Sequence, residues 1–295
     1  MTDKRTVTDQ HASSSGLEPG VLRLIEDALR EDVGDGDVTT AWTVPENKRS
    51  EARIVAKQPL VLSGVEIARA VFERVEPGLE IEARKGDGES ADVEEAVLVL
   101  KGPTRGILVA ERTALNFLGR LSGVATYTHR FVDAVAGTGA RIIDTRKTTP
   151  GWRIIEKAAV RHGGGANHRM GLYDMVMVKD NHIAAAGGIE HAVARVRHHN
   201  EHGLEVEVEV TTIHELTRIL PLGVDRILLD NMALETLQES VRRVRALGEG
   251  RPLTEASGNV TLGTVRSVAE AGVDFISVGA LTHSAPVADF SLRVS

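Results

Sequence analysis

Cysteine is absent from this chain of 295 residues, which excludes disulfides, thiolate zinc sites and a cysteine nucleophile. No uninterrupted apolar stretch approaches the length that spans a bilayer, so no membrane partner is expected. Residues 1–16 are rich in Ser, Thr and Asp and carry no apolar core. A disordered tail is expected there rather than a signal peptide or an anchor, and the cytoplasm is the expected compartment. Positive charge is also in deficit, since the formal net charge is -7. Nucleic acid would require a broad basic face, which this balance does not offer. With 42% hydrophobic and 26% charged residues, the composition is that of a globular protein with a substantial core, in one large domain or two medium ones.

Several cations are gathered in one place. The apolar runs Ile142–Ile143 and Met175–Val178 each end in charge, the first in Asp144, Arg146 and Lys147, the second in Lys179 and Asp180. Between them lie Gly163, Gly164 and Gly165, then Asn167, His168 and Arg169. A buried strand that stops and at once presents Arg, Lys or His reads as the mouth of an α/β enzyme, where ligands sit beyond the carboxyl ends of strands. A small molecule with several negative groups is the expected ligand.

From Leu17 to about Gly123 the pattern mixes helix and strand. Helices are expected over 21–30, 64–75 and 108–121, and strands over 51–62, 79–84 and 96–101. Beyond Gly123 the texture repeats: Gly223 to Ile227 is echoed by Gly272 to Ile276, a helix stop followed by a short strand. Successive units of this kind imply parallel strands. About six are expected, near 141–144, 175–179, 205–210, 226–229, 253–256 and 275–278, fewer than the eight of a full barrel. A TIM-like barrel is the first reading and an open doubly wound sheet the second.

Polar groups follow each of these strands. They are Asp144, Arg146 and Lys147; Lys179 and Asn181; Glu209; Asp230 and Asn231; Ser257, Gly258 and Asn259; and Ser277 to Ala280. The late glycine-rich turns suit phosphate, because backbone N–H groups can approach its oxygens closely. Glu205, Glu207 and Glu209 alternate with valines and so share one face; Glu207 and Glu209 are expected to pair with Lys147 or Lys179. Glu209 and Asp230 suit Mg²⁺, which prefers oxygen ligands. A Schiff-base role for Lys179 is a minority alternative. Three other patterns fail. The triple glycine lacks the spacing and preceding strand of a dinucleotide site. Asp35, Asp37, Thr39 and Glu46 match a calcium loop, but Thr40 stands where its glycine belongs. His198, His199 and His202 read as a solvated helix end.

The segments Asp144 to Gly151, Gly163 to Arg169, Lys179 to His182, Glu255 to Asn259 and Ser277 to His283, together with Glu31 to Thr40 and Glu111 to Asn116, resemble the signatures of the quinolinate phosphoribosyltransferases. His162 departs from the small residue or cysteine expected before the triple glycine. The resemblance implies an N-terminal α/β open-faced sandwich over 17–123, completed by about 282–295, and an incomplete TIM-like α/β barrel over 124–281. It implies conversion of quinolinate and phosphoribosyl pyrophosphate to nicotinate mononucleotide, pyrophosphate and CO₂ in NAD biosynthesis, with Mg²⁺. It also implies a homodimer with a shared active site. Arg146, Arg169, Lys179 and His168 would then bind the quinolinate carboxylates, joined by Arg112 from the other subunit. Thr145, Lys147, Glu209 and Asp230 would serve the phosphoribosyl group and its metal. Ser257, Gly258, Asn259, Val278, Gly279 and Ala280 would cradle the 5′-phosphate. The rival readings are a paralogue with another acceptor, such as nicotinate, and a non-catalytic anion-binding relative.

Overall fold

The computed structural model describes residues 16–295, so the expectation for the N-terminal tail lies, except for Gly16, outside the described residues. The first sheet contains β1 (Arg49–Ala56), β3 (Glu80–Ala83), β5 (Ala96–Pro103) and β12 (Phe290–Val294), in the antiparallel order β12-β1-β5-β3. The short strands β2 (Leu60–Val61) and β4 (Ser90–Ala91) pair beside it. Alternation in β1 turns Ala52, Ile54 and Ala56 inward and Arg53 outward. The inward face meets helices α1 (Pro19–Val33), α3 (Val65–Val75) and α4 (Thr104–Ala134), with Phe72, Leu98, Leu100 and Leu118 fully buried between them. The outward face carries the ion pairs Lys101–Glu51, Arg53–Glu51 and Arg84–Glu82 and stays wet. One sheet face is packed and the other solvated, as an open-faced sandwich requires. The short α2 (Val38–Thr43) begins at Asp37, whose carboxylate accepts the Thr40 N–H at 2.9 Å.

Helix α4 runs well past the expected end near Leu121, because its second half has its own buried face in Val124, Ala125, Thr128 and Phe131. The expected boundary at Gly123 therefore falls inside one continuous helix. Gly119 and Gly123 lie one turn apart where the chain returns toward β12. A Cβ on Gly123 would stand 2.0 Å from the Pro286 carbonyl oxygen, and one on Gly119 would stand 2.8 Å from that of Ala288. Gly123→Ala gains about 1 kcal/mol of helix propensity but must displace a backbone carbonyl. We expect a net loss of about 2 kcal/mol in denaturant unfolding, the clash outweighing propensity.

The second sheet is wholly parallel. Its strands are β6 (Arg141–Ile143), β7 (Val176–Val178), β8 (Val206–Val210), β9 (Arg226–Asp230), β10 (Leu253–Ser257) and β11 (Phe275–Ser277), in the order β6-β11-β10-β9-β8-β7. Each of β8 to β11 adds beside its predecessor, and β6 lies beyond β11 with Ile142 paired to Ile276. This one-way winding is the order of a barrel; a doubly wound sheet reverses direction in its middle. No ladder joins β6 to β7 among the described residues, and the gap is entered instead by Ala166, which bridges to Ile143. Helices α5 (Arg153–His162), α6 (Asp180–Ala186), α7 (Ile189–His199), α8 (Ile213–Ile219), α9 (Leu234–Arg245), α10 (Val265–Glu270) and α11 (Ala280–His283) connect the strands. Both faces of β8 are buried or nearly so, yet one is valine and the other glutamate, so its carboxylates need partners inside the barrel. No described helix is long and apolar enough to cross a membrane.

Candidate active site

The carboxyl ends of the parallel strands surround a cavity of about 590 Å³. Thr145, Arg146 and Lys147 reach it from the end of β6, and His168 and Arg169 from the segment in the gap. Lys179 follows β7, Glu209 lies on β8 and Asp230 ends β9. Ser257, Gly258 and Asn259 close it after β10. Parallel strands bring their ends to one side, so residues spread over more than a hundred positions share one space.

The other proposed site residues lie outside the cavity wall. Val278 is buried and donates its N–H to the Ile143 carbonyl at 3.0 Å. Gly279 and Ala280 follow it; a Cβ on Gly279 would lie 3.0 Å from Lys147 Cδ, so the lysine stem runs over this glycine. Arg112 is exposed on α4 and borders a separate depression with Asn116 and Val287.

Period two explains which wall residues the sequence reading missed. Met177 shares its strand face with Lys179, Leu228 with Asp230, and Glu255 with Ser257; all three line the cavity, as do Ser277 and Asn231. Asn231 donates to Asp230 Oδ2 at 2.7 Å and accepts from Asn259 Nδ2 at 3.2 Å. Gly258 makes room for it: at φ +100° a Cβ there would fall 2.1 Å from Asn231 Oδ1.

Lys179 Nζ meets Glu209 Oε2 at 2.5 Å, which neutralises that pair. Among the described residues, Arg146, Lys147 and Arg169 have no carboxylate partner within ion-pair distance, and the buried Nε of Arg146 has no hydrogen-bond partner. Arg169 is held by the Met175 carbonyl at 3.1 Å. Burial, and then the charge of Arg146, lowers the Arg169 guanidinium below its ordinary value. Unpaired cations pressed together in a half-open cavity are matched by a ligand with several negative groups.

The carboxylates divide by depth. Glu209 Oε1 and Asp230 Oδ1 have no hydrogen-bond partner among the described residues, while the opposite oxygens are held by Lys179 and Asn231. Two free hard oxygens on adjacent strands suit Mg²⁺ reached partly through water or substrate. Glu207, expected to meet Lys147 or Lys179, instead lies one layer down, fully buried, with Oε2 3.0 Å from His168 Nε2. Asp144, read as part of the mouth, is likewise fully buried and pairs with Lys157.

His168, Glu207 and Glu255 offer ligand atoms within 4.8 Å of one another, the spacing of a metal site. The histidine links these carboxylates to the backbone of Arg169. Its Nδ1 accepts the Arg169 N–H at 2.7 Å, so its proton sits on Nε2, facing Glu207. Both ring nitrogens of His168 are thus engaged, although the residue also lines the cavity. Burial pushes Glu207 and Glu255 each up to about 7, their mutual repulsion adding to the shift of Glu255. Burial lowers His168 below its ordinary value.

The family model for the N-terminal domain of quinolinate phosphoribosyl transferase matches residues 37–122, and the one for its C-terminal domain matches 124–293. The chain is 44% identical to the chloroplastic carboxylating nicotinate-nucleotide pyrophosphorylase of Arabidopsis thaliana, over 95% of this chain and 86% of that protein. It is 42% identical to the decarboxylating quinolinate phosphoribosyltransferase 1b of Nicotiana tabacum, over 93% of this chain and 81% of that one. The solved nicotinate-nucleotide pyrophosphorylase from Francisella tularensis superposes with a TM-score of 0.87 at 35% identity, covering 96% of this chain and 99% of that one.

Proposed function

This chain belongs to the quinolinate phosphoribosyltransferase family, and from that premise we propose how its own residues carry the reaction. The enzyme joins quinolinate to the ribosyl C1 of phosphoribosyl pyrophosphate, giving nicotinate mononucleotide, pyrophosphate and CO₂ in NAD biosynthesis. One observation carries the assignment of roles: Arg146, Lys147 and Arg169, without carboxylate partners among the described residues, face the same cavity as Glu209 and Asp230. Arg146 and Arg169 take the two quinolinate carboxylates. Lys179 lies between the subsites, since an ammonium paired with Glu209 still has donors for a substrate carboxylate. Lys147 and Thr145 face the phosphoribosyl pyrophosphate.

Attack by the ring nitrogen breaks the C1–O bond to pyrophosphate and builds oxocarbenium-like charge at C1. Glu209 and Asp230 stabilise that charge, while Lys147 stabilises the leaving pyrophosphate. Mg²⁺, held by Glu209 and Asp230, would add to the neutralisation of the pyrophosphate. The alkylated ring is cationic, so the adjacent carboxylate can leave as CO₂ and its electron pair takes up a proton. The turn Ser257 to Asn259 offers its backbone to the 5′-phosphate, with Val278 to Ala280 behind it. The domains are read as 17–123 with 282–295, and 124–281. We propose that the enzyme acts in the cytoplasm as a homodimer. Arg112 is exposed, without an ion pair among the described residues, and outside its own chain's cavity, as a residue serving the partner's site would be.

The reading is tested by incubating the purified chain with quinolinate, phosphoribosyl pyrophosphate and Mg²⁺ and measuring CO₂ and nicotinate mononucleotide. Product from nicotinate but none from quinolinate would favour a paralogous acceptor. Arg169→Ala is expected to raise the quinolinate KM by about 10- to 100-fold, the loss of one charge-assisted bond, and that of phosphoribosyl pyrophosphate far less. An equal rise for both substrates would place Arg169 elsewhere.

A further inference from the structure

The two quinolinate-facing segments meet at a buried ion pair that lies outside the cavity lining. Asp144 directly follows the barrel strand β6 and leads into Thr145, Arg146 and Lys147. Lys157 lies on α5, and both side chains are fully buried. Lys157 Nζ pairs with the Asp144 carboxylate and donates to the His168 carbonyl at 2.9 Å. Asp144 Oδ1 accepts the His168 N–H at 2.9 Å, so the pair grips both sides of the residue before Arg169. Asn167 completes the grip, donating to Asp144 Oδ2 at 2.6 Å and to the Lys157 carbonyl at 2.9 Å. Ala166 is tied to β6 by two backbone bonds, its N–H to the Ile142 carbonyl at 2.9 Å and its carbonyl to the Asp144 N–H at 3.1 Å. The segment from Ala166 to Arg169 thus hangs on β6 where the barrel lacks a strand.

Such a pair is a poor way to stabilise a core. Burial raises Asp144 and lowers Lys157, each toward its neutral form. Apolar residues of similar volume often serve stability as well or better. What they cannot do is fix two backbone segments in one geometry through directed bonds. Geometry is at stake here, because the like charges of Arg146 and Arg169 push their segments apart. We propose that Asp144 and Lys157 are positioning residues, a buried clamp that holds Arg146 and Arg169 at the separation a two-carboxylate acceptor requires. The proposal rests on the assignment of those arginines to quinolinate and explains how they are held ready for it.

Lys157→Met alone strands a buried carboxylate and risks unfolding, so the deciding variant is the neutral double Asp144→Asn/Lys157→Met. In the full-length chain it is expected to fold, to melt within a few degrees of wild type, and to raise the quinolinate KM about tenfold or more. The KM for phosphoribosyl pyrophosphate is expected to move less than about threefold. An unchanged quinolinate KM, or an equal rise for both substrates, would overturn the proposal. So would failure to fold, since the pair would then be holding the barrel rather than the guanidinium groups. Arg169→Ala separates the two layers. If it spares quinolinate, the site assignment falls and the clamp with it. If it loses quinolinate while the folded double variant does not, only the clamp falls.

Discussion

Arg112→Ala and Lys147→Ala are each expected to leave on the order of a hundredth to a thousandth of wild-type activity, and their mixture to recover about a quarter. Lys147 has no ion pair among the described residues and faces the cavity over Gly279. Arg112 projects from α4 outside its own chain's cavity, bordering a depression beside Val287 to Phe290. In a homodimer that shares its sites, each single variant spoils both. In a mixed dimer one site combines the intact Lys147 of one chain with the intact Arg112 of the other, and the second site lacks both. Random reassortment of equal amounts makes about half the dimers mixed, each with one good site of two. Activity is measured after subunit exchange has been shown with a tagged chain. If exchange occurs and activity stays at the level of the parents, Arg112 acts within its own chain and the shared site is wrong.

The parallel sheet was legible because each unit restarts alike. The runs after Gly223 and Gly272 became β9 and β11, and the polar clusters after each strand came together in one cavity. Closure was not legible. Whether the strands wind one way or two depends on β6 pairing with β11, and that long-range contact leaves no mark on local period. Depth was the second loss. Alternation placed Glu205, Glu207 and Glu209 on one face but could not say that only Glu209 reaches the mouth. Asp144 was read beside Arg146, yet it turns fully inward, and His168, though it lines the cavity, is engaged by buried partners. Their partners, Lys157, Glu207 and Glu255, belong to three other elements, and only the fold brings them together. The residues easiest to bring to the cavity were the strand-end cations Arg146 and Lys147, which have no carboxylate partner among the described residues.

Glu255→Gln is expected to make the protein more stable than wild type at pH 8 and no more stable than wild type at pH 5. Glu255 and Glu207 are fully buried, and each has one oxygen, Oε1, without a hydrogen-bond partner among the described residues. A single proton held between them would satisfy both, and the pair lies within 4.8 Å of His168 as well. The Glu255 carboxyl is raised from 4.5 to about 7 in the fold, burial first and Glu207 second. The folded state therefore binds more protons than the unfolded chain between those values, so stability is full at low pH and falls as pH rises through the window. A proton held that much more tightly corresponds to roughly 3 kcal/mol lost by pH 8. His162 and His168 act oppositely, since burial lowers both and the folded state resists protonating them. Their contribution is lost as pH falls below the ordinary histidine value; that of His162 is common to both proteins, while loss of the Glu255 charge lowers His168 further in the variant, a difference confined to the acid end of the range. The glutamine mimics the protonated acid, still accepts from Arg226, whose Nη1 stands 3.2 Å from Glu255 Oε2, and cannot ionise. Denaturant unfolding of both proteins from pH 5 to pH 8 gives the difference directly. Parallel curves would show that Glu255 is ionised throughout, with Arg226 alone sufficient to hold its charge inside the barrel.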